Sequence, residues 1–408
     1  MDSLVIAAAR ALASGDALGA LNHIALRDDP PALALRGIAM AQLGDLVRAK
    51  TLLRRAAHGF GTREPAARAR CTVAEAEIAL VSRELNWPVK ALHAAHEALE
   101  RHGDRANAAH ARYLAIRRLL LIGHLDEAER LMAAFDPAPL PIASRAAYEL
   151  VIAGTAIRRL RTGLARAALV RAGDAASAAG IASLSAEVEG VAHILDMPAA
   201  RLLAQDKVRD LRLDEIEALL ASKVFVVDAC RHVICHAGKV ISLESRPVLF
   251  ALAYALAEAW PGDAPRTTLL TRAFRAKHVD ESHRARLRVE IGRLRRALGS
   301  LAHIDATKHG FVLAPRRARD VAVLIPLTDE ARAAVLALLA DGEAWSSSAL
   351  ALALGSSQRT VQRALDNLAR DGKVRTLGHG RARRWMAPPV PGFPTSLLLP
   401  AALPRALE

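Results

Sequence analysis

From Met1 to about Leu220, apolar residues recur three and four positions apart, the period of helices that bury one face. The segment is rich in Ala, Leu and Arg, all strong helix formers, and no strand is expected in it. Similar units follow one another: "ASGDALGALNHI" from Ala13, "QLGDLVRAKTLLRRA" from Gln42, "RELNWPVKALHAAHEAL" from Arg83, "LIGHLDEAERLMAAF" from Leu121 and "RTGLARAALVRAG" from Arg161. Each sets a turn before small and large apolar residues one helical turn apart. The turns at Gly15, Gly44, Asn86, Gly123 and Gly163 lie about 30 to 40 residues apart, the spacing of helical-hairpin arrays.

At Val224 the pattern changes. "KVFVVDACRHVICHAGKVISL" alternates short β-branched runs with turns at "DACR" and "HAGK", which predicts strands. Helices are expected at "ESRPVLFALAYALAEAW", "RTTLLTRAFRA" and "HRARLRVEIGRLRRALG", then two short strands around Lys308-His309-Gly310 in "IDATKHGFVLAP". "RRARDVAVLIPL", Arg316 to Leu327, reads as a short connection. After it, Thr328 opens "LTDEARAAVLALLADGEAW", and "SSSALALALGSSQRTVQRALDNLARDG" gives helix, turn, helix. "KVRTLGHGRARRWMAP" closes as a hairpin, and the Pro-punctuated residues 389–408 read as a loosely held tail.

Charge separates the two halves. Residues 1–222 carry 28 Lys and Arg against 26 Asp and Glu, whereas residues 223–408 carry 28 against 16. A near-neutral half joined to a strongly basic one suggests an assembly or sensing region attached to a region that binds a polyanion. The basic residues concentrate in His283–Gly299, which holds Arg284, Arg286, Arg288, Arg293, Arg295 and Arg296 with Glu290 as the opposing acid. At 3.6 residues per turn, Leu287, Ile291, Leu294 and Leu298 make one buried stripe. Arg286, Val289, Glu290, Arg293 and Arg296 are then expected on or near the opposite face. Arg293 is the candidate for a guanine edge and Val289 for a thymine methyl, while Arg286, Arg295 and Arg296 suit phosphates.

The pieces "KVISL", "LLTRAF", "RARLRVEIGRLRRAL" and "IDATKHGFVL" together resemble the OmpR/PhoB-type winged-helix DNA-binding domain over about residues 223–315. The resemblance implies that the third helix enters the major groove and that the wing, with Lys308 and His309, touches the adjacent backbone or minor groove. The wing carries His309-Gly310-Phe311 where that family usually has a Gly-x-Gly-Tyr run, and no receiver domain with a phosphorylatable Asp precedes it. The N-terminal 1–220 resembles a tetratricopeptide-type array, loosely, without that repeat's aromatic pattern. Residues 321–388 resemble the winged helices of MarR- and DeoR-like regulators. There, Val361, Leu365 and Leu368 form the core stripe, which turns Gln358, Arg359, Gln362 and Arg363 outward, and Arg381, Arg383 and Arg384 on the wing suit phosphates.

The expected fold is mainly α: a helical-hairpin region followed by two winged-helix α+β domains. The expected function is sequence-specific binding of double-stranded DNA in transcription regulation, with the N-terminal region binding a protein partner or a second copy. The alternative is an interaction scaffold whose winged helices serve as assembly surfaces. No glycine-rich phosphate loop, metal-ligand set or nucleophile with a base is found, so neither enzyme activity nor a cofactor is expected. The histidines His93 and His96 read as helix-surface residues. Cys71, Cys230 and Cys235 read as reduced core or strand residues of a cytoplasmic protein. No run of about 20 apolar residues or exported leader is found, so no membrane contact is expected.

Overall fold

The three-and-four spacing of the N-terminal half resolves into α1 (Ser3–Ala13), α2 (Ala17–Ile24), α3 (Pro30–Gln42), α4 (Leu46–Phe60), α5 (Pro65–Val81), α6 (Val89–Arg101), α7 (Arg105–Leu121), α8 (Leu125–Ala133), α9 (Ile142–Arg158), α10 (Thr162–Ala179) and α11 (Ala182–Asp196). The structure is a computed structural model that describes residues 3–82, 87–204, 207–274, 281–327, 330–339, 345–354, 356–370, 372–378, 380 and 383–386. The fold is mainly α, with β structure concentrated after residue 197. Two compact units divide the chain, one built on residues 1–194 and the other on residues 195–337, with the segments beyond 337 assigned partly to each.

In the first unit each helix from α1 to α7 packs on the next in sequence, as α9 does on α10, and α1, α3, α5, α7 and α9 also pack on one another in succession. That pattern of neighbours is a stack of helical hairpins. It gives alternate helices different surroundings. α4 and α6 each bury a single stripe, whereas α7 buries eleven of its residues, from Asn107 to Leu120, because it is covered on more than one side. The turns share one geometry: Gly15, Gly44, Gly103 and Gly123 all take φ between +72° and +88°, a region that glycine enters without strain. The residue after the glycine starts the next helix: Asp16 and Asp45 accept from the backbone N–H of Gly19 and Arg48 at 2.7 and 3.0 Å.

Two of the expected turns differ. Gly163 lies inside α10, and Leu160 supplies the positive φ there, at 53°. Asn86 falls outside the described residues. His96 is also not a plain surface residue: its Nδ1 lies 3.0 Å from the carbonyl oxygen of Ala108.

The α5 and α7 layers bury a charged cluster. Glu77, 1% exposed, accepts from His110 Nε2 at 3.0 Å, and its Oε1 has no partner. Burial raises the Glu77 carboxyl above the ordinary carboxylate range, against the opposing pull of His110 and Arg117. Burial also pushes the Tyr113 phenol up to about 12.

The second unit holds β1 (Pro198–Ala204), β2 (Lys207–Arg212), α12 (Leu213–Ala221), β3 (Phe225–Asp228), β4 (Val233–His236), β5 (Lys239–Ser242), α13 (Pro247–Glu258), β6 (Ala264–Pro265), α14 (Arg266–Phe274), α15 (Glu281–Leu298), β7 (Ala302–Ala306), β8 (Gly310–Pro315) and β9 (Val321–Pro326). A six-stranded sheet runs β2-β1-β9-β3-β4-β5, and a three-stranded sheet runs β6-β8-β7. Between them, α13, α14 and α15 share one core with the strands, in which Phe225, Leu252, Leu269, Leu294 and Val323 are all at most 1% exposed.

The six-stranded sheet overturns two expectations. "RRARDVAVLIPL" is not a free connection, because its apolar run is β9, parallel to β3 and antiparallel to β1, with Val321, Ala322, Val323 and Leu324 at most 3% exposed. Pro198–Ala204 and Lys207–Arg212, expected to be helical, are the antiparallel strands β1 and β2, and β1 pairs with β9 on one side. The unit therefore extends beyond 223–315 at both ends.

Beyond it lie α16 (Glu330–Leu339), α17 (Ser347–Ala353), α18 (Gln358–Arg370), β10 (Arg375–Leu377) and β11 (Arg384–Met386), the last two paired antiparallel. Ser346 and Ser357 cap α17 and α18, accepting from Ala349 and Thr360 N–H at 3.1 Å each. Thr328 and residues 389–408 lie outside the described residues.

Candidate nucleic-acid interface

α15 is amphipathic in the expected sense. Leu287, Ile291, Leu294 and Leu298 are 2, 1, 0 and 1% exposed and fix the helix against the core. Burying each such side chain stabilises by about 1.5–3 kcal/mol, which leaves little freedom for the helix to roll. Arg284, Arg286, Arg288, Arg293, Arg295 and Arg296 are consequently all exposed, and Val289 stands among them, 54% exposed.

The arginines are not equivalent. Arg293 Nη1 donates to Glu290 Oε1 at 2.8 Å. Arg295 Nε donates to the Ile304 carbonyl on β7 at 2.8 Å, so part of its fork, expected at a phosphate, is spent on bracing the helix to the sheet. The Arg286 guanidinium lies 4.7 Å from the centre of the Phe274 ring, a cation–π contact that bends it toward α14. Arg288 and Arg296 make no ion pair or hydrogen bond among the described residues, which leaves all five donors of each exposed. Glu290, expected on the outward face, is instead buried at 8% exposure on the flank of the core stripe.

A cavity of about 630 Å³ opens between the start of α13 and the second half of α15, lined by Arg246, Pro247, Val248, Glu290, Arg293 and Arg296 among others. Arg246 carries no signal in the sequence. It lies in the expected helix "ESRPVLFALAYALAEAW" but immediately before the observed α13, and only the crossing of α13 and α15 brings it to the arginine helix.

The hairpin β7–β8 carries Lys308 and His309 at its exposed tip. Arg266, another residue that sequence reasoning misses, holds that tip by donating through Nη1 and Nη2 to the carbonyls of Lys308 and Thr307, each at 2.9 Å. Gly310 is required below it: a Cβ there would stand 1.8 Å from the Ala264 carbonyl oxygen, where β6 crosses β8. The Gly310-Phe311 pair thus closes the hairpin onto β6, and the tip is set by backbone contacts that leave both basic side chains outside.

On α18, Val361, Leu365 and Leu368 are buried at 2, 0 and 0% exposure, as the spacing predicts. Gln358, Arg359 and Arg363 are exposed, whereas Gln362 is half-buried and its Nε2 donates to Asp366 at 3.0 Å. On the β10–β11 hairpin, Arg384 is exposed and Arg383 lies 5.8 Å from the Trp385 ring centre. Arg381 lies outside the described residues.

Burial pushes the Cys71 thiol up to about 12, and partial burial beside Asp228 does the same for Cys230, so these thiols are protonated near neutrality. Among the described residues no three His, Cys, Asp or Glu side chains gather as metal ligands, and no helix is long and apolar enough to cross a membrane. Comparison of the chain with protein-family models, with curated proteins and with solved structures returned no match.

Proposed function

We propose that the chain is a sequence-specific regulator of transcription that binds double-stranded DNA in the cytoplasm, with α15 as the helix that enters the major groove. The observation that carries this reading is the face of α15: six exposed arginines, with one internal acid among residues 283–299, on a helix locked to the core by its opposite stripe. Such a face offers forked donors to base edges and phosphates. A solvated helix face would more commonly pair its arginines with acids one turn away.

In this reading Arg293 and Val289 face base edges, Arg284, Arg288 and Arg296 face phosphates, and Lys308 and His309 follow the neighbouring backbone from the hairpin tip. α18, with Arg359 and Arg363, adds contacts of the same kind. The helical hairpins carry a near-neutral charge and bind a protein partner or a second copy. The test is selection from a random duplex pool by the purified full chain, followed by affinity measurements over a range of salt. A recovered motif and a log–log slope of about −0.9 per phosphate neutralised are expected. Weak binding without sequence preference and without salt dependence would contradict the reading.

A further inference from the structure

In a helix face with so much positive charge, the difficulty is selectivity, because free guanidiniums attract every phosphate alike. One residue of the face departs from that pattern. Glu290 is 8% exposed, lies beside the Leu287–Ile291–Leu294 stripe, and takes Arg293 Nη1 at 2.8 Å. Both line the cavity shared with Arg246 and Arg296, and neither of those two arginines has an acid partner among the described residues. The buried carboxylate therefore acts on one arginine of the three, although all three border the same space.

Two physical consequences follow. A charge-assisted bond to a carboxylate that is itself immobilised removes much of Arg293's rotamer freedom before any ligand arrives. The guanidinium has five donors in a rigid plane, so occupying Nη1 leaves the remaining edge pointing in a set direction. Glu290 also removes one unit of charge from the cavity wall and so weakens indiscriminate attraction there.

We propose that Glu290 is a positioning residue: it orients Arg293 toward a single base edge and makes it a discriminating contact rather than a further phosphate contact. The inference rests on the DNA-binding reading above. It assigns no contact between Glu290 and DNA.

The experiment uses the full chain, its Glu290→Ala, Glu290→Gln and Arg293→Ala variants, and the Glu290→Ala/Arg293→Ala double variant, with thermal unfolding to verify that each is folded. Random duplex pools and the motif selected by the wild type serve as probes. Glu290→Ala should lower discrimination at one base position roughly tenfold while binding to random duplex becomes tighter. Glu290→Gln, which still accepts from Arg293 through a neutral oxygen, should fall between. In the Arg293→Ala background, removing Glu290 should change discrimination no further. Equal loss in both backgrounds, unchanged discrimination, or tighter selective binding by Glu290→Ala would overturn the proposal, the last by making the pair a restraint on Arg293. Failure of the wild type to enrich any motif would instead overturn the DNA-binding reading itself, and the proposal with it.

Discussion

In the stacked hairpins arginine after arginine meets a carboxylate: Arg27 with Asp29, Arg54 with Glu75, Arg70 with Asp104, Arg161 with Glu129, Arg171 with Glu149. On α15 Arg293 pairs with Glu290, whereas Arg288 and Arg296 have no acid partner among the described residues. The two regions use the same side chain on amphipathic helices, and the difference lies in what surrounds it. In the hairpins, acids on the adjacent helix neutralise the surface locally, so the face contributes solubility and weak cross-helix ties. On α15 Arg288 and Arg296 meet no such acid among the described residues, so their charge stays uncompensated at the surface. Local sequence composition thus matters less than whether an acid from another element arrives within reach.

The largest effects should come from cutting the two cores. Leu114 on α7 and Leu294 on α15 are both fully buried, and truncating either to Ala should destabilise by about 2–5 kcal/mol. Denaturant unfolding would measure this. Only Leu294→Ala should also impair DNA binding among molecules that remain folded; equal impairment by Leu114→Ala would erase the distinction between the regions.

Exchanging single arginines should have a smaller and more selective effect. Arg293→Ala should weaken binding to the selected motif by about 1–3 kcal/mol and relax preference at one position. Arg70→Ala, which breaks a partly exposed pair with Asp104, should change stability by at most about 1 kcal/mol and leave DNA affinity unaltered. Fluorescence anisotropy with matched and mismatched duplexes resolves both.

Much of α15 is legible in the sequence because its stripe depends only on helical period and on four aliphatic residues. The hairpin tip at Lys308-His309 is legible for a similar reason, since short strands flank a glycine. β9 is not, because a six-residue apolar run does not say which strands will take it, and its partners β1 and β3 lie about a hundred residues earlier. β1, "PAARLLA", has a helix former's composition and becomes a strand through pairing with β2 and β9. Glu290 shows the limit within a single helix: it is expected on or near the face opposite the core stripe, yet it is buried on the flank of that stripe, where it lines the cavity that α15 shares with the start of α13. The same finding changes how the chain can be divided. A truncation at 320 would remove β9 from the centre of its sheet, so a test of α18 and its hairpin must cut after 327.

The smallest predicted effect concerns the charged cluster of the hairpins. Because burial raises the Glu77 carboxyl, its ionised form is disfavoured in the folded state, and stability present below the ordinary value of 4.5 is lost as pH rises through the folded value. Glu77→Gln removes that ionisation. The variant should match the wild type in acid and gain on it as pH rises, measured as the gap in thermal midpoint. A gap independent of pH, or one favouring the wild type at pH 8, would show that the His110 pairing outweighs the cost of burial.

The most direct test of the central claim is the salt dependence of duplex DNA binding by the full chain and by Arg288→Ala/Arg296→Ala, which removes two α15 arginines that have no ion pair or hydrogen bond among the described residues. If they neutralise phosphates, the double variant should bind all sequences more weakly and its log–log slope should flatten by about 0.9 for each phosphate no longer neutralised, with the preferred motif retained. An unchanged slope and affinity would mean that the exposed face of α15 does not meet DNA.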